Sequence, residues 1–209
     1  MSVWGLLSDI HGNLPALERA LAQFRERGVE RIAVLGDNLG RGDSDGCVEL
    51  IHNVAEVSVV GNRDLDWQDR VGAEARAYVL GLPRLALVDD LAFTHGDPRL
   101  TRELSTSETT AGFRRARRWM TEHQARIWFF GHSHRARVWR LGGDGGGAAL
   151  LFDAATESLP AKLTLQDVQA PESTWAVNLG SVGLPFPGKG PASAAVYDAE
   201  RRQLEIVPL

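Results

Sequence analysis

Apolar residues follow two rhythms along this chain. Short apolar runs, each closed within two residues by glycine or aspartate, read as buried strands at residues 3–8, 31–35, 56–60, 84–88, 91–94, 126–130 and 135–141. The other rhythm is helical. Leu14, Leu17, Leu21 and Phe24 recur at spacings of three and four and form one apolar stripe. Asn13 offers an N-cap, Pro15 suits the first turn and Gly28 suits the C-terminal stop. Weaker helical patterns cover residues 47–53, 67–80 and 105–124, and Pro83 ends the second of these. The glycine-rich stretch 142–147 predicts a flexible hairpin tip. Beyond it the pattern predicts strands at 148–152, 161–165, 175–178, 194–197 and 203–207. A β-α-β-α-β opening implies a parallel sheet with right-handed crossovers. No repeat and no linker interrupts the pattern, so the 209 residues read as a single layered domain, 1–209.

Composition narrows the function classes. A hydrophobic fraction of 44% and a charged fraction of 24% exclude wholesale disorder. The net charge of −4 argues against a general polyanion binder. A lone cysteine, Cys47, precludes an internal disulfide and fits a reducing compartment. The N-terminus lacks a basic region and a cleavage signal, and no apolar run approaches the ~20 residues of a membrane span. A cytoplasmic protein with no membrane association is expected. The basic residues are 21 arginines and two lysines. Residues 99–140 hold ten arginines against Glu103, Glu108 and Glu122, a net +7, while the remainder carries −11. Arg114, Arg115, Arg117 and Arg118 read as a solvated helix face, the alternative being an anion-attracting rim.

Candidate chemistry lies in polar, glycine-bracketed strings that each follow a predicted strand. They are Ser8-Asp9-Ile10-His11-Gly12-Asn13, Leu35-Gly36-Asp37-Asn38, Val60-Gly61-Asn62-Arg63-Asp64, Thr94-His95-Gly96-Asp97 and Gly131-His132-Ser133-His134. Strand ends are where layered α/β proteins bind ligands. In an extended segment, residues two apart face the same side, so Asp9 with His11, and His132 with His134, can each address one metal ion. Carboxylate, imidazole and amide donors suit Mn, Fe, Zn, Co or Ni. Any one string alone is most simply a cap or a turn; five in this order point to a metal site. Cys47, His52 and His123 fall outside the strings and read as core or surface residues.

In that order the strings resemble the motif set of the calcineurin-like metallophosphoesterase superfamily: Asp-x-His, Gly-Asp, Gly-Asn-His-Asp or -Glu, His-Gly, and Gly-His-x-His. Asn178-Leu179-Gly180-Ser181-Val182-Gly183 and the segment 8–21 are similar to its small bacterial phosphodiesterase branch. The resemblance implies an α/β (α+β) fold, a four-layer α-β-β-α sandwich of two packed mixed sheets flanked by helices. It implies two metal ions, manganese foremost. Asp9, His11, Asp37 and His134 would hold one, Asp37, Asn62, His95 and His132 the other, with Asp37 shared. The activity implied is phosphoester hydrolysis, foremost of small or nucleotide phosphodiesters, by attack of a hydroxide bridging the ions. Asp37, Asn62, Arg63 and His95 would be the catalytic residues. A non-catalytic scaffold of the same fold is the alternative, and the intact ligand set argues against it. A nuclease is disfavoured by the acidic charge and the lack of a basic domain.

Two positions depart from the pattern. Arg63 stands where the family often has a histidine that protonates the leaving oxygen. Arginine stays charged and cannot give that proton. It either holds a phosphate oxygen or turns into a salt bridge with Asp64 or Asp66. Leu179 stands where the branch has proline, with a change in loop stiffness expected. Asn38 is a candidate substrate contact, and Arg41 and Asp97 are candidate cleft residues. Asn13 is expected to cap its helix and point at the site, and Asn178 and Ser181 to shape the site floor.

Overall fold

The computed structural model describes residues 2–97, 108–142, 147–167 and 173–209. The N-terminal half builds the first sheet as its pattern predicts. Strand β1 (Val3–Leu7) pairs in parallel with β2 (Arg31–Val34), Leu6 lying opposite Ala33. Helix α1 (Leu14–Glu26) makes the crossover, its stripe of Leu17, Leu21 and Phe24 buried and its N-terminus capped by Asn13. Helix α2 (Ser44–Val54) leads to β3 (Val57–Ser58), parallel to β2. The sheet is completed by strands from the end of the chain. β11 (Ser193–Asp198) runs antiparallel to β1, β12 (Gln203–Pro208) lies beside β11, and β9 (Ala161–Thr164) beside β12.

The second sheet also has six strands, in the order β4 (Leu85–Val88), β5 (Leu91–Thr94), β6 (Ile127–Phe130), β10 (Thr174–Leu179), β7 (Ala136–Leu141) and β8 (Ala148–Asp153). β5, β6 and β10 are parallel and the other pairs antiparallel. The sheets pack face to face through Trp4, Leu6, Leu35, Phe93, Phe129, Val177 and Tyr197, all buried. α1 and α2 cover the outer face of the first sheet. α5 (Thr110–Glu122) covers the second through Phe113, Ala116 and Met120. The result is the α-β-β-α sandwich. Each large side chain moved from water into such a core contributes about 1.5–3 kcal/mol, so these interfaces hold the layers together.

Several boundaries differ from the pattern reading. The helix expected over 67–80 is three pieces: α3 (Asn62–Trp67), a 3-10 turn (Gln68–Arg70) and α4 (Ala73–Gly81). The break falls at Gly72, which is extended and gives its N–H to Asp45 Oδ1 at 2.8 Å. The strand expected at 56–60 shrinks to Val57–Ser58, the two residues in register with Ala33 and Val34 of β2. α2 starts before Cys47, at Ser44, because Asp43 accepts the Gly46 N–H at 2.8 Å. α5 starts at Thr110, capped by Thr109; residues 105–107 of the predicted helix and 143–146 of the predicted tip lie outside the described residues. Leu179 is not a loop residue: it ends β10 and is fully buried between the sheets.

Candidate metal centre

The parallel strands of both sheets bring their C-terminal ends to one edge of the sandwich. Asp9 and His11 follow β1, Asp37 follows β2, Asn62 opens α3 after β3, His95 follows β5, and His132 and His134 follow β6. Two of the turns are forced by close approach. A Cβ on Gly61 would lie 2.2 Å from the Asp37 nitrogen, and one on Gly131 1.9 Å from Ser8 Oγ. The backbone is strained where the donors sit. Asp9, His11, Asp37, His132 and His134 have φ of +56°, +52°, +54°, +70° and +58°, five of the eight non-glycine residues with positive φ among those described. Each costs roughly 1–2 kcal/mol. Cross-loop hydrogen bonds hold two of them in place: Asp9 N–H donates to Gly36 O at 3.0 Å and His11 N–H to Asp37 O at 2.9 Å. Strain concentrated this way is characteristic of functional sites.

Most donors are fixed by one atom and present another to the centre. Asp9 Oδ2 accepts from Ser8 Oγ (2.7 Å) and the His132 N–H (2.9 Å); its Oδ1 has no hydrogen bond. Asp37 Oδ1 accepts the Arg63 N–H at 2.7 Å, and Oδ2 faces His95. His95 Nδ1 lies 2.6 Å from Leu35 O and His134 Nδ1 2.6 Å from Leu184 O, contacts in which each Nδ1–H donates to a carbonyl and each Nε2 is turned toward the centre. His134 Nε2 is 3.1 Å from Asp9 Oδ1 and 3.1 Å from His11 Nε2. His95 Nε2 is 3.3 Å from Asp37 Oδ2 and makes no hydrogen bond. His132 Nδ1 lies 2.9 Å from Asn62 Oδ1. Two groups therefore could hold metal ions, Asp9/His11/Asp37/His134 and Asp37/His95/His132, with Asp37 in both. Bare, buried Asp9 Oδ1 and His95 Nε2 are what a bound cation would satisfy, and the mixed oxygen and nitrogen set suits transition ions.

The electrostatics are those of a site built for positive charge. Burial disfavours the Asp9 and Asp37 charges, yet the histidines around them, His95 foremost, hold both carboxyls below their ordinary range. Burial likewise opposes charge on His95, but Asp37 and Asp9 beside it push its pKa up to about 10. Burial and the neighbouring His95 depress His132.

Two residues central to this geometry escape the sequence reading. Asp64, expected only as a partner for Arg63, is fully buried. Its carboxylate accepts four backbone N–H groups, from Asp37 (3.0 Å), Asn38 (2.7 Å), Leu39 (3.0 Å) and Gly61 (2.9 Å), and so ties the β2 loop to α3. Burial and the Asp37 charge push its pKa up to about 6. The last position of the Gly-Asn-x-Asp string was the available signal. Glu108 accepts from Ser133 Oγ (2.7 Å) and Asn178 Nδ2 (2.8 Å) on one oxygen and from Arg137 (2.6 Å) on the other. Asn178 Nδ2 also reaches Gly131 O at 2.8 Å, and Lys189 Nζ reaches Ser133 O at 2.8 Å. The loop carrying His132 and His134 is thus clamped through the serine between them.

Other expected residues are placed as follows. Asn38 is fully buried and turns its amide to Asp64 at 3.3 Å, because its side chain points into the protein rather than the cleft. Asp97 is buried too, 3.6 Å from Arg115, and does not line the cleft. Arg41 lines the cleft. Arg63 lines it as well, with its guanidinium half exposed and 3.6 Å from Asp66. Asn13 caps α1, lines the cleft and donates to Gly183 O at 3.0 Å. Ser181 Oγ donates to Asp9 O at 2.8 Å beneath the centre. Cys47 is buried, its thiol pushed up to about 12 by burial; His52 packs at a tilt against Tyr78 and His123 stacks on Trp119. Arg114, Arg115 and Arg118 lie on the exposed face of α5. Among the described residues, no helix is long and apolar enough to cross a membrane.

Comparison with known proteins places this geometry. The profile of the calcineurin-like phosphoesterase superfamily domain matches residues 1–202. The chain is 29% identical to an uncharacterized protein of Methanocaldococcus jannaschii, over 99% of this chain and 86% of that one. It superposes on a metallophosphoesterase of Sphaerobacter thermophilus with a TM-score of 0.79 at 24% identity, covering 99% and 88% of the two chains. It superposes on an archaeal phosphodiesterase with a TM-score of 0.56 at 15% identity, covering 99% of each. These two structural likenesses are ones of fold.

Proposed function

The chain belongs to the calcineurin-like phosphoesterase superfamily, and from that premise we propose that it hydrolyses phosphodiesters, small or nucleotide-derived, at a two-metal centre. The observation that carries this reading is the pair of carboxylate and imidazole groups gathered where the loops of the two sheets meet, with Asp37 common to both. Asp9, His11, Asp37 and His134 would hold one ion, and Asp37, Asn62, His95 and His132 the other. Two ions bound there supply a water that is acidic near neutrality and positive charge against the phosphoryl oxygens. The protein's own part is positioning. Asp64 and Glu108 fix the loops that carry the donors, so the ligand atoms are preorganised before substrate arrives. Arg63, at the cleft and bound through its N–H to Asp37, answers the phosphate charge. Its contact with Asp66 joins two half-exposed side chains and is weak enough to yield to substrate. No protein nucleophile is required.

The test is to strip the protein of metal, reload it with Mn²⁺, and assay bis(p-nitrophenyl) phosphate beside p-nitrophenyl phosphate and natural nucleotides. Metal-dependent turnover, greater on the diester, is expected. Two metals taken up without turnover would identify a binding scaffold instead, and preference for the monoester would identify a phosphatase.

A further inference from the structure

Beside the centre a cleft of about 710 Å³ opens. It is lined by His11 of the centre, by Arg41 from the loop after β2, by Arg63 and Trp67 from α3, and by Leu184 and Phe186 from the loop after β10. A phosphoryl group with a small alkyl ester would leave most of that space empty. Clefts of ~300–1,000 Å³ are the size that enclose drug-sized ligands. The wall is also chemically uneven. Leu184 and Phe186 are large apolar residues left 40% and 42% exposed at the rim of a polar centre. They are fixed to that centre, because His134 Nδ1 contacts Leu184 O at 2.6 Å and the Phe186 ring lies 4.8 Å from the His134 ring. Trp67 is held by the Arg70 guanidinium, 4.5 Å from its ring centre. Aromatic rings and guanidinium planes both take flat partners by stacking.

We infer that this cleft binds a flat aromatic ring carried by an ester group of the substrate. The ring packs on Phe186, Leu184 and Trp67, while Arg41 and Arg63 face the phosphate charge. This rests on the phosphoesterase reading of the adjoining centre. Two sources supply such a ring, an aryl ester and a nucleobase, and they differ in how far the ring stands from phosphorus.

The probes are methylphosphonate, phenylphosphonate and thymidine 5′-monophosphate, each titrated calorimetrically into Mn²⁺-loaded protein, with bis(p-nitrophenyl) phosphate turnover measured on the same sample. Stacking on an aromatic wall is worth about tenfold or more in affinity. At least one ring-bearing probe is therefore expected to bind about tenfold tighter than methylphosphonate. Phe186→Ala and Leu184→Ser, both on an exposed loop, should cut that ratio below about threefold. A preference for phenylphosphonate identifies an aryl ester; a preference for the nucleotide identifies a nucleobase. Equal affinity for all three probes on an enzyme that turns over the diester overturns the inference alone, as does a ratio that survives both variants. Absence of both phosphonate binding and turnover overturns the phosphoesterase reading and the inference with it.

Discussion

Asp37 gives one carboxylate oxygen to the Arg63 N–H and turns the other toward His95 and His11. Replacing it with asparagine keeps the shape and removes the shared charge. Charge stabilisation by such centres is worth several kcal/mol, so Asp37→Asn should lower kcat by about 10³-fold or more with an unchanged circular dichroism spectrum. His95→Ala should do the same. Near-native turnover of Asp37→Asn would remove it from the shared position. Arg63 makes a finer case. A general acid contributes about 10²–10⁴ in rate, and an arginine cannot act as one. Hydrolysis should therefore slow as the leaving group becomes more basic. Arg63→Ala should raise KM more than it lowers kcat, since a fixed cation gives mainly uniform binding, and Arg63→His should gain on alkyl leaving groups. A flat leaving-group series in the wild type would show that another residue supplies the proton. At this scale the donors were legible because each sits in a short polar string after a strand. Asn38 was misread because the sequence shows that a residue follows Asp37 but not that its amide turns inward to Asp64.

Elements were legible where local signals agree, and misread where tertiary contacts decide. α1 has a stripe, a cap and a stop, and its span follows from them. The segment 67–80 reads as one helix, yet Gly72 gives its N–H to Asp45, 27 residues away, and the helix divides there. Glu108 was invisible as a site residue for a related reason: its partners Ser133, Arg137 and Asn178 lie 25, 29 and 70 residues away. It clamps a loop in which His132 and His134 both hold left-handed backbone. Removing the clamp leaves the Arg137 charge and the Ser133 and Asn178 groups less well paired, and lets the loop relax toward ordinary dihedrals. Partners that orient metal ligands typically contribute 10–100-fold to affinity. Glu108→Ala should therefore weaken metal binding by roughly 10–100-fold in a chelator competition, and change the absorption spectrum of the Co²⁺-loaded protein. Glu108→Gln, which keeps acceptor capacity on one oxygen, should recover part of the loss. Unchanged metal affinity in Glu108→Ala would show that the loop holds its shape without the clamp.

The whole molecule sets the centre between its two sheets. Asp9, His11, Asp37 and Asn62 come from the first sheet's loops, and His95, His132 and His134 from the second's. Anything bound there ties the halves of the sandwich together, so metal should stabilise the fold by linkage, by about 2.7 kcal/mol at a hundredfold excess over Kd. Without metal, His95 takes part of that role. Its pKa of about 10 means that at neutral pH it is a cation between two buried carboxylates. Because the folded value lies above the ordinary 6.5, the stability this proton gives is fully present below about pH 6.5 and is lost as pH rises toward 10. A histidine must be neutral to bind a metal, so uptake expels this proton. Two consequences follow in the same direction. Metal affinity should tighten as pH rises from 7 toward 10, by up to about tenfold per pH unit for one proton, while the metal-free protein melts at progressively lower temperature. Calorimetric titration of Mn²⁺ at pH 7.5 in buffers of different ionisation enthalpy should report about one proton released from this position, and His95→Ala should lose it. Metal uptake with no proton release in the wild type would mean that His95 is already neutral, and that the two carboxylates are held together without its charge.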